Sequence, residues 1–185
     1  MITLIDNEDS FVYTLARYVE LCGFEYEVIR YNVFTKLPAK TKALIISPGP
    51  KAPKDMSETN NIISKYAPKL PILGVCLGHQ CIGHVFGARI FKSSPMHGKT
   101  SLVHFTPEET LFSDIPNPAD FARYHSLSVT DIENTDLIRI AWDDYGLIMG
   151  LKHKQYPCYG IQFHPESVLS VHGKTLIQNF LNKAL

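Results

Sequence analysis

Apolar residues in this chain come first as short, nearly uninterrupted runs and later in alternation with polar ones. Ile2-Thr3-Leu4-Ile5, Ala43-Leu44-Ile45-Ile46 and Pro71-Ile72-Leu73-Gly74-Val75 are runs of the first kind, the pattern of parallel strands covered on both faces. Between them, Phe11, Leu15, Tyr18, Val19 and Cys22 recur at helical spacing up to Gly23, behind a cluster, Asp6-Asn7-Glu8-Asp9-Ser10, rich in helix-capping side chains. Tyr26, Val28 and Ile29 suggest a further strand, Glu58 to Tyr66 a helix, and the stretch after Val75 a helix that runs to about Phe86 and stops at Gly87. Strand and helix alternate through this half, which implies a parallel sheet flanked by helices.

After Gly87 the period changes to two. Ala88 to Phe91, Ser101 to Phe105, Ser126 to Val129, Leu137 to Trp142, Leu147 to Lys152 and Tyr159 to Phe163 read as strands. Short turns such as Asp143-Asp144-Tyr145-Gly146 join antiparallel neighbours, so this half predicts either a mixed sheet or a second small sheet. Met96-His97-Gly98-Lys99 reads as a surface turn between two of these strands. A last helix from about His172 turns Leu176, Ile177, Phe180 and Leu181 inward. With neither repeat nor linker, residues 1–185 are expected to form one α/β domain.

Charge and composition narrow the function. Lys+Arg and Asp+Glu are equal at 18 each, which removes the electrostatic footprint of nucleic-acid binding. No apolar stretch approaches the ~20 residues that span a bilayer, so no membrane partner is expected. Met1 leads straight into a strand without a basic or apolar leader, and the cytoplasm is the expected location. Cys22, Cys76, Cys81 and Cys158 contain no C-x-x-C pair, which argues for four reduced thiols and against a zinc site. Neither metal nor cofactor is expected.

Cys76 stands apart from the other three cysteines. It ends an apolar run with Gly74 two residues before and Gly78 two residues after, the G-x-C-x-G form of a nucleophile elbow. In that turn from strand to helix the flanking positions must be small, and the helix start lowers a thiol's pKa and leaves backbone N–H groups free for an oxyanion. An ordinary buried cysteine at a strand end has the same local pattern. A cysteine nucleophile also needs a base and a group to orient that base. Gln162-Phe163-His164-Pro165-Glu166 supplies both: His164 falls at a strand end, Pro165 stops the strand, and Glu166 can fold back on the imidazole.

Taken together, Gly74-Val75-Cys76-Leu77-Gly78-His79-Gln80 and Gln162-Phe163-His164-Pro165-Glu166 resemble the triad-type glutamine amidotransferases. Asp6-Asn7-Glu8-Asp9-Ser10-Phe11, Ser47-Pro48-Gly49-Pro50, Pro95 to Thr100 and Tyr124-His125-Ser126-Leu127 resemble, more narrowly, the amidotransferase subunits of anthranilate and aminodeoxychorismate synthases. The resemblance implies a flavodoxin-like, mostly parallel sheet flanked by helices, with an antiparallel accessory sheet in the C-terminal half. It implies glutamine as substrate and a chorismate-binding synthase as protein partner, which receives the ammonia. It implies Cys76 as nucleophile, His164 as base, Glu166 as orienting group, and the backbone N–H groups of Gly49 and Leu77 as the oxyanion hole. Gly49, Pro50, Lys51, Gln80, Ser126 and Leu127 fall at its glutamine-binding positions. It also places partner docking on Met96-His97-Gly98-Lys99.

One departure is Lys51, where the family loop often carries a small residue. Its long cation either points to solvent or touches the glutamine carboxylate or the partner. Two other functions compete with the leading one. An amidotransferase could serve another acceptor such as a nucleotide, and a catalytically silent module could share the fold.

Overall fold

The computed structural model describes residues 1–184. Its centre is a nine-stranded mixed sheet in the order β2-β1-β3-β4-β9-β8-β7-β5-β6, counted along the chain. Strands β1 (Ile2–Asp6), β2 (Tyr26–Arg30), β3 (Ala43–Ile46), β4 (Ile72–Val75) and β9 (Cys158–Ile161) run parallel. From β9 the sheet continues antiparallel through β8 (Ile148–His153), β7 (Leu137–Asp143), β5 (Arg89–Phe105) and β6 (Ala119–Thr130). The antiparallel strands are therefore hydrogen-bonded into the central sheet, which decides between the two arrangements that the alternating pattern allowed.

Every residue of β1, β3 and β4 is buried, and neighbours along each strand enter opposite layers. Ile45, Leu73 and Val75 pack with Val12, Leu15 and Val19 of helix α1 (Val12–Leu21) and with Leu176, Ile177 and Phe180 of α4 (Gly173–Ala184). Leu44, Ile46 and Ile72 pack on the other face with Ile62 and Ile63 of α2 (Ser57–Tyr66) and with Leu77, Cys81 and Ile82 of α3 (Leu77–Val85). A strand with helices on both faces has no polar side to show, hence the unbroken apolar runs. Each fully buried Leu, Ile or Val contributes about 1.5–3 kcal/mol relative to exposure.

Three details differ from the sequence expectation. First, Met96-His97-Gly98-Lys99 is no turn: β5 continues through it, pairing Met96 with His125 and His97 with Tyr124. Register shifts fall between Lys92 and Met96 and between His97 and Lys99, with Gly98 at φ 64°. The first adds two residues to β5 and the second adds one, and these interruptions break the period-two signal. Second, β6 begins at Ala119 rather than Ser126, and β9 ends at Ile161 rather than Phe163. Third, α1 has no side-chain cap at its first residue. Asp6 Oδ1 instead accepts the N–H groups of Glu8 and Asp9, and Asp9 Oδ1 that of Phe11, so the acidic cluster shapes the loop. Among the described residues, no helix is long and apolar enough to cross a membrane.

Candidate active site

The carboxyl ends of β1, β3, β4 and β9 bring four loops together, the usual place for a site in an open α/β sheet. Cys76 sits between β4 and α3 at φ 52°, ψ −99°, outside the ordinary regions for a residue with a Cβ. Such a conformation costs on the order of 1–3 kcal/mol and persists only where its surroundings impose it. The flanking glycines are what allow it. A Cβ on Gly74 would come within 2.5 Å of the Gly78 carbonyl carbon and oxygen, and a Cβ on Gly78 would overlap the Ile46 carbonyl oxygen. The strand, the turn and α3 are thus packed at backbone contact.

His164 and Glu166 follow β9. His164 Nδ1 lies 2.6 Å from Glu166 Oε1, with both side chains at most 3% exposed. The His164 backbone is pinned to β6: its N–H donates to Ala122 O at 2.9 Å, while the Ser170 hydroxyl donates to His164 O at 2.6 Å and accepts the Ala122 N–H. Gly173 lies beneath this loop, where a Cβ would overlap the Pro165 carbonyl. The imidazole ring meets Tyr124 and Phe11 edge-on, at centroid distances of 5.0 and 5.7 Å. Burial by itself would lower the His164 pKa. Contact with the Cys76 side chain and the Glu166 carboxylate overcomes that and raises it to about 10, so His164 is an imidazolium at neutral pH.

Cys81 and Cys158 lack such a setting. All four are free thiols, but burial pushes Cys81 up to about 12 and pushes Cys158 up as well, with no cation beside either. Cys76 Sγ accepts a long hydrogen bond of 3.6 Å from Gln162 Nε2. Among the described residues, five buried side-chain atoms have no hydrogen-bond partner, and four of them belong to His79, His164 and Glu166. An orphaned buried polar atom costs about 1–3 kcal/mol, a cost that native proteins concentrate where function needs it. His164 Nε2, on the side of the ring away from Glu166, is one of these atoms.

The loop after β3 is held by Asn7, which the sequence pattern marked only as one member of the Asp6–Phe11 cluster. Asn7 Nδ2 donates to Ser47 O at 2.8 Å, Asn7 N–H to Ser47 Oγ at 2.9 Å, and Asn7 Oδ1 accepts from Thr59 at 2.7 Å, all three residues being fully buried. This brings Gly49 against the elbow, where a Cβ would stand 2.6 Å from Leu77 Cδ2. Pro50 is exposed beside it. Lys51 is exposed at the surface and is also tethered there. Its Nζ donates to Tyr31 OH at 2.5 Å and lies 3.6 Å from Glu8 Oε2, folding the side chain onto the β1–α1 and β2 loops. Gln80, one turn into α3, donates to Leu127 O at 2.9 Å and to Gln162 Oε1 at 3.1 Å, whereas Ser126 is exposed next to it. A cysteine at a strained turn, a buried His164–Glu166 pair and two backbone segments thus meet at the elbow.

Comparison with known proteins agrees with this geometry. The model of the family "Glutamine amidotransferase class-I" matches residues 3–184. The chain is 45% identical to anthranilate synthase component 2 of Cyanophora paradoxa, over 98% of each chain. It is 41% identical to the chloroplastic anthranilate synthase beta subunit 2 of Arabidopsis thaliana, over 97% of this chain and 70% of that one. A solved structure of a putative GMP synthase protein from Thermoplasma acidophilum superimposes with a TM-score of 0.88 at 22% identity, covering 99% of this chain and 92% of that one, a likeness of fold alone. With a family model matched over almost its whole length, the chain belongs to the class-I glutamine amidotransferases, and it is an enzyme of that kind.

Proposed function

We propose that this protein is the glutaminase subunit of a chorismate-using synthase, supplying ammonia for anthranilate or 4-amino-4-deoxychorismate, in the tryptophan or folate pathway. The chorismate assignment draws on the anthranilate synthase subunits that the chain resembles along its length. The observation that carries the chemistry is the elbow conformation of Cys76 beside the buried His164–Glu166 pair.

In this reading Cys76 Sγ attacks the side-chain amide carbon of glutamine. The negative charge that develops on the amide oxygen is received by the N–H groups of Gly49 and Leu77, where one donor is commonly worth about 2.7–4 kcal/mol. His164 Nε2 passes its proton to the departing nitrogen, the C–N bond breaks, and ammonia leaves a γ-glutamyl thioester on Cys76. Neutral His164 then takes a proton from water, the resulting hydroxide attacks the thioester carbon, and glutamate departs as Cys76 Sγ is regenerated. Glu166 keeps Nδ1 protonated throughout, so that Nε2 is the atom that exchanges protons. Gln80, Ser126, Leu127 and the Gly49–Lys51 backbone receive the rest of the glutamine. The Lys51 ammonium, already engaged with Tyr31 and Glu8, braces that loop.

The test is to mix the protein and its synthase with glutamine, quench in acid, and weigh the Cys76 peptide. A γ-glutamyl adduct confined to Cys76 is expected, and its absence under turnover would remove the thioester from the mechanism.

A further inference from the structure

Arg123 and Asp143 form an ion pair of 2.8 Å with side chains 3% and 2% exposed, and neither belongs to the Cys76, His164 and Glu166 set. Removing two charges from water costs several kcal/mol per ion, so such a pair is a poor way merely to fill space. The other Asp143 oxygen accepts the N–H groups of Tyr145 and Leu147, which leaves Arg123 gripped by a carboxylate that is itself fixed. Arg123 then donates from Nε to His125 Nε2 at 3.0 Å. A guanidinium has no acceptor, so His125 Nε2 must carry the lone pair and the ring proton must sit on Nδ1. Nδ1 lies 2.9 Å from Leu127 O and donates to it. Gln80 Nε2 donates to the same oxygen, also at 2.9 Å, and this uses both lone pairs of the Leu127 carbonyl.

We propose that Arg123, held by Asp143, is a positioning residue for substrate binding: it fixes the His125 tautomer and thereby the Leu127 carbonyl, setting the Ser126–Leu127 segment for the α-amino and α-carboxyl groups of glutamine. The inference rests on the reading of that segment as a glutamine contact. Its consequence is specific, because the Leu127 carbonyl has no lone pair left for the substrate ammonium and acts as a fixed post. Arg123 and His125 stand two apart on β6, on one face of the strand, and Asp143 closes the set from β7. Burial, and after it the Arg123 cation, lowers the His125 pKa to about 4, which keeps the ring neutral in ordinary buffers.

The experiment compares two alkylating probes at Cys76, read by peptide mass spectrometry on the chain in complex with its synthase. 6-Diazo-5-oxo-L-norleucine carries the α-amino and α-carboxyl groups, and iodoacetamide carries neither. The double variant Arg123→Met/Asp143→Leu removes both charges and leaves neither buried alone, His125→Leu removes the Nδ1 donor, and His125→Asn keeps an N–H near that position. The first two are expected to slow the diazo reagent about tenfold, the loss of one good hydrogen bond, while leaving the iodoacetamide rate unchanged. His125→Asn should restore most of the diazo rate. Equal slowing of both reagents, or no slowing of either, would overturn the positioning role. Wild-type protein that iodoacetamide labels and the diazo reagent does not would instead overturn the glutamine reading beneath it.

Discussion

His164 Nδ1 donates to Glu166 Oε1 across 2.6 Å inside a pocket that leaves neither side chain more than 3% exposed. The bond leaves Nε2 as the ring nitrogen turned away from Glu166, and the carboxylate helps to raise the His164 pKa to about 10. On the proposed mechanism, the proton that the departing nitrogen needs is therefore already in place at neutral pH. Glutaminase activity should fall as pH rises through the His164 pKa and that proton is lost. Glu166→Gln removes one of the raising influences, so the fall should begin at lower pH. The variant should also lose less activity than His164→Ala, by a factor on the order of tens, as when an orienting carboxylate is compared with the base itself. A pH–rate profile of both variants checks this. An unchanged basic limb in Glu166→Gln would contradict it.

A second expectation concerns the elbow. Gly78→Ala places a methyl against the Ile46 carbonyl, and Gly74→Ala places one within 2.5 Å of Gly78 backbone atoms. Each should cost about 1–3 kcal/mol of stability through overpacking and should abolish glutaminase turnover by shifting Cys76. Gly146→Ala is the control. It sits at φ 80° with nothing within 4 Å of the added carbon, so it should cost about 1–2 kcal/mol of backbone strain and leave turnover alone. Urea denaturation alongside glutamate release separates the two cases.

Coupling to the synthase should run through β5. His97 stacks edge-on against Tyr124 at 5.6 Å, and Tyr124 against His164 at 5.0 Å, which makes a short path from an exposed strand to His164. A Cβ on Gly98, at φ 64°, would lie 3.6 Å from Tyr124 Cε1. The free protein should be a poor glutaminase that gains activity on binding. A competent state populated at about 1% becomes dominant if the partner favours it by about 3 kcal/mol. Gly98→Asp should weaken this activation while leaving the residual activity of the free protein. Titration with synthase and chorismate, following glutamate, measures it. Equal activity of the free protein and the saturated complex would refute the coupling.

His79 gives a stability prediction with a definite sign. Its ring is fully buried, and burial lowers its pKa from 6.5 to about 3. Between those values the unfolded chain binds a proton at this site that the folded chain refuses, so stability rises with pH there. The contribution is complete above pH 6.5 and is lost as pH falls toward about 3. His125, lowered to about 4, acts in the same direction. Denaturant midpoints measured from pH 4 to 7 should increase with pH, and His79→Leu should flatten that rise. A slope unchanged in His79→Leu would contradict the assignment.

Most of the parallel half of the fold was legible because β1, β3 and β4 are buried on both faces, so Ala43–Ile46 and Ile72–Val75 announce themselves as apolar runs. Strand β5 was not, because it lies near the sheet edge, keeps most of its side chains in solvent, and loses its alternation at two register shifts. Cys76, His164 and Glu166 could be found because steric need at an elbow and at a strand end restricts which residues fit. Asn7, Ser170 and the Arg123–Asp143 pair could not, since their partners lie between 6 and 52 residues away and only the folded sheet brings them together. Arg123 and His125 did leave one trace, two polar residues at period two on β6, both buried on one strand face.

The most direct test of the account is Cys76→Ala in the complex with the chorismate-using synthase, assayed with glutamine and, separately, with ammonium salts as nitrogen source. On the proposed mechanism Cys76 serves only the release of ammonia, so glutamine-dependent synthesis should vanish while ammonium-dependent synthesis stays close to wild type. Glutamine-dependent synthesis that survives the substitution, or loss of both activities in a folded complex, would contradict it.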